Sequence, residues 1–173
     1  IYDGFAYPYG WGVHEDSLEP DYSEAVKLVG ILHEEMGMEM INITMGNPYV
    51  NSHVTRPFDK GKYLPPEHPL EGVARMYEGT RIIKQHYPRL NVMASAPSYL
   101  RQFSPDLAAG AVEKEYCDFV AFGRQAFANP GFPNEIRETG KLDKKHTCVT
   151  CGGCGDLVRA GKPCGCVIRR PEK

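Results

Sequence analysis

Cys117-Asp118-Phe119-Val120-Ala121-Phe122-Gly123-Arg124 decides how the chain is read. A short run of β-forming residues ends abruptly in Gly-Arg, as a buried strand does where it meets a turn. Two comparable runs lie upstream, Leu90-Asn91-Val92-Met93-Ala94 and Met40-Ile41-Asn42-Ile43-Thr44. Between and before them the apolar positions recur at helical spacing. Tyr22, Ala25, Val26, Val29 and Leu32 mark an amphipathic helix ending near Gly37. Leu70, Val73, Ala74, Tyr77 and Ile83 mark a second, stopped by Tyr87-Pro88, and an alanine-rich third runs from about Pro105 to Lys114. Strands alternating with helices predict right-handed βαβ units and a parallel sheet. Their near-continuous apolar character predicts cover on both faces. Such a sheet belongs to an open doubly wound fold or to a (β/α)8 barrel, which three or four strands are too few to close.

Downstream of that strand the chain changes character. Cys148, Cys151, Cys154 and Cys166 form the pattern C-x2-C-x2-C-x11-C, which brings three thiols close together along the backbone and returns a fourth across a short loop. Thiolate-only ligand sets select iron–sulfur clusters or zinc. Three compact cysteines and a distant one lean towards a cluster, because zinc ribbons pair their cysteines as two C-x2-C units. A zinc module attached to the α/β domain and a disulfide framework are the alternatives. Cys164 competes with Cys166 for the fourth place, and Cys117, opening a strand, reads as a small buried apolar residue.

The 173 residues are 42% hydrophobic and 24% charged, ordinary globular composition with room for a real core. A net charge of −2 offers no electrostatic case for nucleic acid or an anionic membrane surface. No apolar run approaches the roughly 20 residues needed to span a bilayer. Ile1-Tyr2-Asp3-Gly4 opens without a basic, then apolar, leader and without an initiating methionine, so the expectation is a piece of a longer cytoplasmic protein. Residues 1–20, with Trp11 among tyrosines and glycines, read as a loop. A second long loop, Gly46 to Pro69, carries five prolines, and loops of that length are usually functional or disordered.

Cys117 to Pro130, containing Gly123-Arg124 and Pro130, resembles the eighth-strand signature of the flavin-dependent Old Yellow Enzyme family. Asn91-Val92-Met93-Ala94-Ser95-Ala96-Pro97 resembles its seventh strand and loop, and the cysteines followed by Val167-Ile168-Arg169 resemble its iron–sulfur branch, that of 2,4-dienoyl-CoA reductase and trimethylamine dehydrogenase. The resemblance covers nearly the whole chain but only the second half of the family's barrel. It implies an α/β fold: residues 1–140 as the C-terminal half of a TIM (β/α)8 barrel, and 141–173 as a cysteine-rich iron–sulfur segment. By the same resemblance the cofactors are FMN, a 4Fe-4S cluster and NAD(P)H, and the reaction passes hydride through the flavin to or from a small molecule with an activated double bond or amine. The missing N-terminal barrel half would leave this piece inactive alone.

The resemblance also assigns residues. Barrel phosphate sites lie between the loops after strands seven and eight. Ser95, Ala96, Gly123 and Arg124 would there hold the FMN phosphate, through open backbone N–H groups and a guanidinium fork. Many relatives carry glycine where Ala96 stands, and alanine does not reach positive φ cheaply. Cys148, Cys151, Cys154 and Cys166 would hold the cluster. In the proline-rich loop, His53-Val54-Thr55-Arg56 is similar to the H-x-x-R of the dienoyl-CoA reductase branch, making His53 the proton donor near the flavin. Arg56 can hold an anionic substrate group, and Tyr49 is an alternative donor. His14, His33, His68, His86 and His146 have no partners at metal-ligand spacing and read as solvated or locally bonded.

Overall fold

Three short strands, β1 (Met40–Asn42), β2 (Asn91–Ala94) and β3 (Phe119–Val120), form a parallel sheet in chain order in the computed structural model. It describes residues 12, 14, 20–48, 51–61 and 63–169; Trp11 and Tyr49 lie outside them. Ile41 pairs with Val92 and Ala94 with Val120, so these residues share one face. The helices are α1 (Ser23–Gly30), α2 (Ser52–Thr55), α3 (Pro69–His86), α4 (Ser104–Glu113), α5 (Gly123–Ala128), α6 (Phe132–Thr139) and α7 (Gly153–Arg159). The crossovers are α3 between β1 and β2, and α4 between β2 and β3, as the alternation requires.

Each crossover starts and stops for local reasons. The His68 side chain accepts the Leu70 N–H, and Pro69 occupies the first turn of α3, where a missing N–H costs nothing. Tyr87-Pro88 ends it. The α1 helix runs on through a π-helical turn, Ile31–Glu35, and the chain turns away at Gly37 with φ +73°. Gly30 leaves room for the Tyr87 ring; an added Cβ there would collide with its hydroxyl. That hydroxyl donates to the Val26 carbonyl at 2.8 Å and fastens α1 to the end of α3.

All the packing lies on one face of the sheet. Val92 and Ala94 are fully buried, Val92 against Val29, Ile83 and Leu90, and Ala94 against Val73, Met76, Tyr77 and Ala111. On the other face Met40 and Phe119 are 48% and 44% exposed, and Asn42 and Asn91 are exposed too. Cover on both faces, expected from the apolar runs, is therefore not seen: the described helices in contact with the core come from one side only. At the rim, Asp118 accepts the Val92 N–H and pairs with Lys84 at 2.8 Å, tying β3 to β2 and α3. Burial pushes the Asp118 carboxyl up, but these two partners outweigh it and hold the group below its ordinary range.

Tyr77 is 4% exposed and its hydroxyl has no hydrogen-bond partner. Burial also drives its pKa well above the usual tyrosine range. Tyr77→Phe keeps the ring and removes an unpaired polar atom. It is expected to leave stability unchanged or raise it by up to about 1 kcal/mol, read from the urea midpoint at constant m-value.

Among the described residues no helix is long and apolar enough to cross a membrane. The α6 helix ends at Gly140 with φ +69°, and the cysteine segment follows it through a helical turn, Lys144–His146, into α7.

Candidate functional site

Cys148, Cys151, Cys154 and Cys166 all line one cavity, together with Arg124, although they come from an extended stretch, from the start of α7 and from the turn after it. Cys164 does not line it and is exposed. All six cysteines are free thiols, so the disulfide alternative has no bond to support it. Two backbone N–H groups point at ligand sulfurs, Thr150 at Cys148 Sγ and Arg169 at Cys166 Sγ, both at 3.3 Å. Burial raises the Cys148 and Cys154 thiols, while N–H groups and the Arg124 charge pull the other way.

Gln125 sets this segment in place. It is 2% exposed; its amide donates to the His146 carbonyl at 3.0 Å and its carbonyl accepts the Cys148 N–H at 2.8 Å. Arg169 adds a second clasp, reaching the Thr147 and Lys144 carbonyls. Gln125→Leu strands a buried donor, the Cys148 N–H, and a part-buried acceptor, the His146 carbonyl. A loss of about 1–3 kcal/mol is expected, together with faster reaction of Cys148 with a thiol reagent.

Among the described residues no three His, Cys, Asp or Glu side chains are gathered closely enough to hold a metal ion. The four thiols lining one cavity, two of them addressed by backbone N–H groups, are the candidate soft ligands of this segment.

A larger cavity of about 490 Å³ lies on the other side of Arg124 and the cysteine loop, bounded by the proline-rich segment through Arg56, Phe58, Lys60 and Tyr63. Arg124 is half-buried and opens onto both cavities. Burial depresses its pKa, opposed by the neighbouring cysteines. Its hydrogen bond is a long one, 3.4 Å to the Pro57 carbonyl. Thr150, between two of the cysteines, has φ +54°, is 1% exposed and carries a hydroxyl without a partner.

The residues expected to grip a phosphate are only partly brought together. Ser95, Ala96 and Gly123 do not line the cavities that Arg124 faces. Gly123 is exposed, and a Cβ added there would meet nothing within 4 Å. Ala96 adopts φ +64°, ψ +33°, the left-handed region that glycine reaches freely and alanine at a cost of roughly 1–2 kcal/mol. The Arg124 guanidinium instead lines the cavity of the cysteines.

His53 is 7% exposed and does not line the larger cavity. Its ring is spent on neighbours: Nδ1 lies 2.9 Å from Tyr63 Oη, and Nε2 lies 3.5 Å from a Glu67 carboxylate oxygen. Glu67 is in turn held by the Arg75 guanidinium. The expected proton donor therefore stands behind another residue. Tyr63, half out in solvent, faces the cavity, accepts the His53 backbone N–H at 3.1 Å and contacts the Ser52 hydroxyl. Nothing local marks Tyr63 in the sequence; only the return of the loop across ten residues gives it a role. Tyr49, the other expected donor, lies outside the described residues. Among the remaining histidines, His33 and His86 bond nearby backbone carbonyls and His68 caps α3.

No protein-family model matches the chain, and no solved structure matches it. Over 147 residues, 84% of this chain, it is 27% identical to bilirubin reductase of Mediterraneibacter gnavus (strain CC55_001C). The chain spans 20% of that protein's length. The chain is thus similar, along most of its length, to one part of a longer reductase.

Proposed function

We propose that this chain is the cofactor-bearing part of an NAD(P)H-dependent flavin oxidoreductase of the iron–sulfur Old Yellow Enzyme type, and that its sheet is the second half of a (β/α)8 barrel. The observation that carries the reading is the convergence of Cys148, Cys151, Cys154 and Cys166 on one cavity beside the arginine of the strand-ending Gly-Arg. Similarity to a reductase supports it. The second face of the sheet, uncovered among the described residues, supports the barrel, because parallel sheets are covered on both faces and in a barrel the inner face is filled by the strands opposite.

When bound, flavin and cluster supply hydride and single-electron transfer, chemistry that belongs to the cofactors. The chain's residues hold and orient. The four cysteines carry the cluster, and Arg124 balances the charge of the thiolate set from within hydrocarbon surroundings. The open backbone at Ser95, Ala96 and Gly123 receives the FMN phosphate. Tyr63 Oη gives a proton to the substrate carbon in the larger cavity. His53, whose Nδ1 lies 2.9 Å from Tyr63 Oη and whose Nε2 faces Glu67, orients that hydroxyl and relays a proton to it.

Anaerobic reconstitution with iron and sulfide tests the reading. About four irons and four sulfides per chain, with broad visible absorption bleached by dithionite, are expected. A colourless chain that takes up one zinc ion and no sulfide would leave the structural-module alternative standing and remove this one.

A further inference from the structure

Cys164 is the cysteine left over once the four cavity-lining thiols are counted, and the fold brings it to one of them. At the end of α7 the chain reverses on itself. Gly161 takes φ +66°, its N–H bonds the Val158 carbonyl at 3.1 Å, and the Lys162 N–H bonds the Leu157 carbonyl at 2.9 Å. This paired closure around a left-handed glycine stops a helix and turns the chain back, and Pro163 cannot resume it. The returning segment then carries the Cys164 thiol to the carbonyl of Cys154, ten positions earlier, at 3.9 Å. A negative charge on Cys164 accordingly weighs on the Cys154 thiol, more than one on Cys151 does. Residues 158–164 are exposed throughout, and a Cβ added at Gly165 would meet nothing within 4 Å. Cys164 can therefore swing to the Cys154 sulfur by a change confined to an exposed loop, while Cys154 stays half-buried on α7.

We propose that Cys154 and Cys164 form a reversible disulfide, closed by a low-molecular-weight disulfide such as oxidised glutathione and opened by a dithiol, which withdraws Cys154 from metal binding. The exposed Cys164 sulfur attacks one sulfur of the oxidant, breaking its S–S bond and releasing one thiol. The Cys154 sulfur then attacks Cys164, forming the protein S–S bond and releasing the second thiol. Two protein thiols thus lose two electrons and two protons, and the oxidant becomes two thiols. The bond itself needs no metal. That it denies a cluster one of its four ligands rests on the reductase reading.

The purified full chain, reduced and free of metal, is treated with oxidised glutathione, blocked with iodoacetamide, and mapped by tandem mass spectrometry after trypsin. Cuts after Lys145, Arg159 and Arg169 place Cys154 and Cys164 on separate peptides, so their bond appears as a cross-linked pair. That pair is expected as the main product in the parent and in Cys166→Ala, and in Cys164→Ala Cys154 is expected to be found alkylated. Cobalt(II) then reads the consequence through its thiolate charge-transfer absorption, without sulfide that could itself open the bond. Oxidation is expected to weaken cobalt binding by the parent about tenfold or more, to leave Cys164→Ala unchanged, and to be reversed by dithiothreitol. A main product joining Cys151 to Cys154, glutathione left on Cys164, or no oxidation at all overturns the pair. Cobalt binding unaltered in the oxidised parent, or weakened as much in Cys164→Ala, overturns its hold on the ligands. Iron–sulfide reconstitution of the reduced chain keeps the two readings apart. A chain that forms the bond yet builds no cluster when reduced upholds the pair and sinks the cluster reading alone.

Discussion

Cys166→Ala abolishes iron uptake on anaerobic reconstitution, and Cys164→Ala leaves it intact. This is the largest effect expected of any single substitution in the chain. The two cysteines are separated by one residue, yet Cys166 faces the cavity with Cys148, Cys151 and Cys154, while Cys164 points to solvent. The Arg169 N–H already addresses Cys166 Sγ, a contact that stabilises a thiolate and not a bystander thiol. Cys164 has only a weak contact with the Cys154 carbonyl, at 3.9 Å. Iron and sulfide assays with visible spectra of both variants read the result. The reverse pattern would falsify the ligand assignment, and with it the path by which α7 and the following turn are joined to the cluster.

Tyr63→Phe lowers turnover by about 10²–10⁴, the range for loss of a positioned general acid. The reduction of flavin by NAD(P)H, which needs no proton from this residue, is unchanged. The measurement belongs in the proposed flavin reductase, by stopped flow with the two half-reactions recorded separately. Phenylalanine keeps the ring packed against Phe58, so KM moves little and the loss falls on kcat. His53→Gln acts more mildly, because glutamine still offers a hydrogen bond to Tyr63 Oη but cannot carry a proton to it. Turnover of Tyr63→Phe equal to the parent's rules out the tyrosine as donor and returns the role to His53 or Tyr49.

Much of the fold was open to inspection before any coordinates. The apolar runs ending at Thr44, Ala94 and Phe122, each separated by a helical pattern, force parallel strands in chain order, and they appear so. The face each strand buries was not legible, because runs as short as Met40-Ile41-Asn42 and Phe119-Val120 are too brief to show an alternation, and apolar Met40 and Phe119 lie exposed. Nor were α5 and α6, since Gln125 to Pro133 is broken by prolines and glycine before any helical period can accumulate. Cysteine spacing singled out the ligand set, but spacing alone could not choose between Cys164 and Cys166, or reveal that Gln125 holds Cys148. The approach of Arg56 and Arg159 to one another at Gly155 was not legible, because tertiary folding brings the two together and no sequence period connects them.

The Gln125 clasp puts the molecule on a clock. Residues 146 and 148 are fastened to a side chain 21 and 23 positions earlier, and that side chain is itself placed only when β3 has joined β2. The cysteine segment follows the sheet in the chain and finds its place only after the sheet it depends on is built. Until then its thiols are loose in an open chain, so the speed of sheet formation sets how long they stay exposed to oxidants.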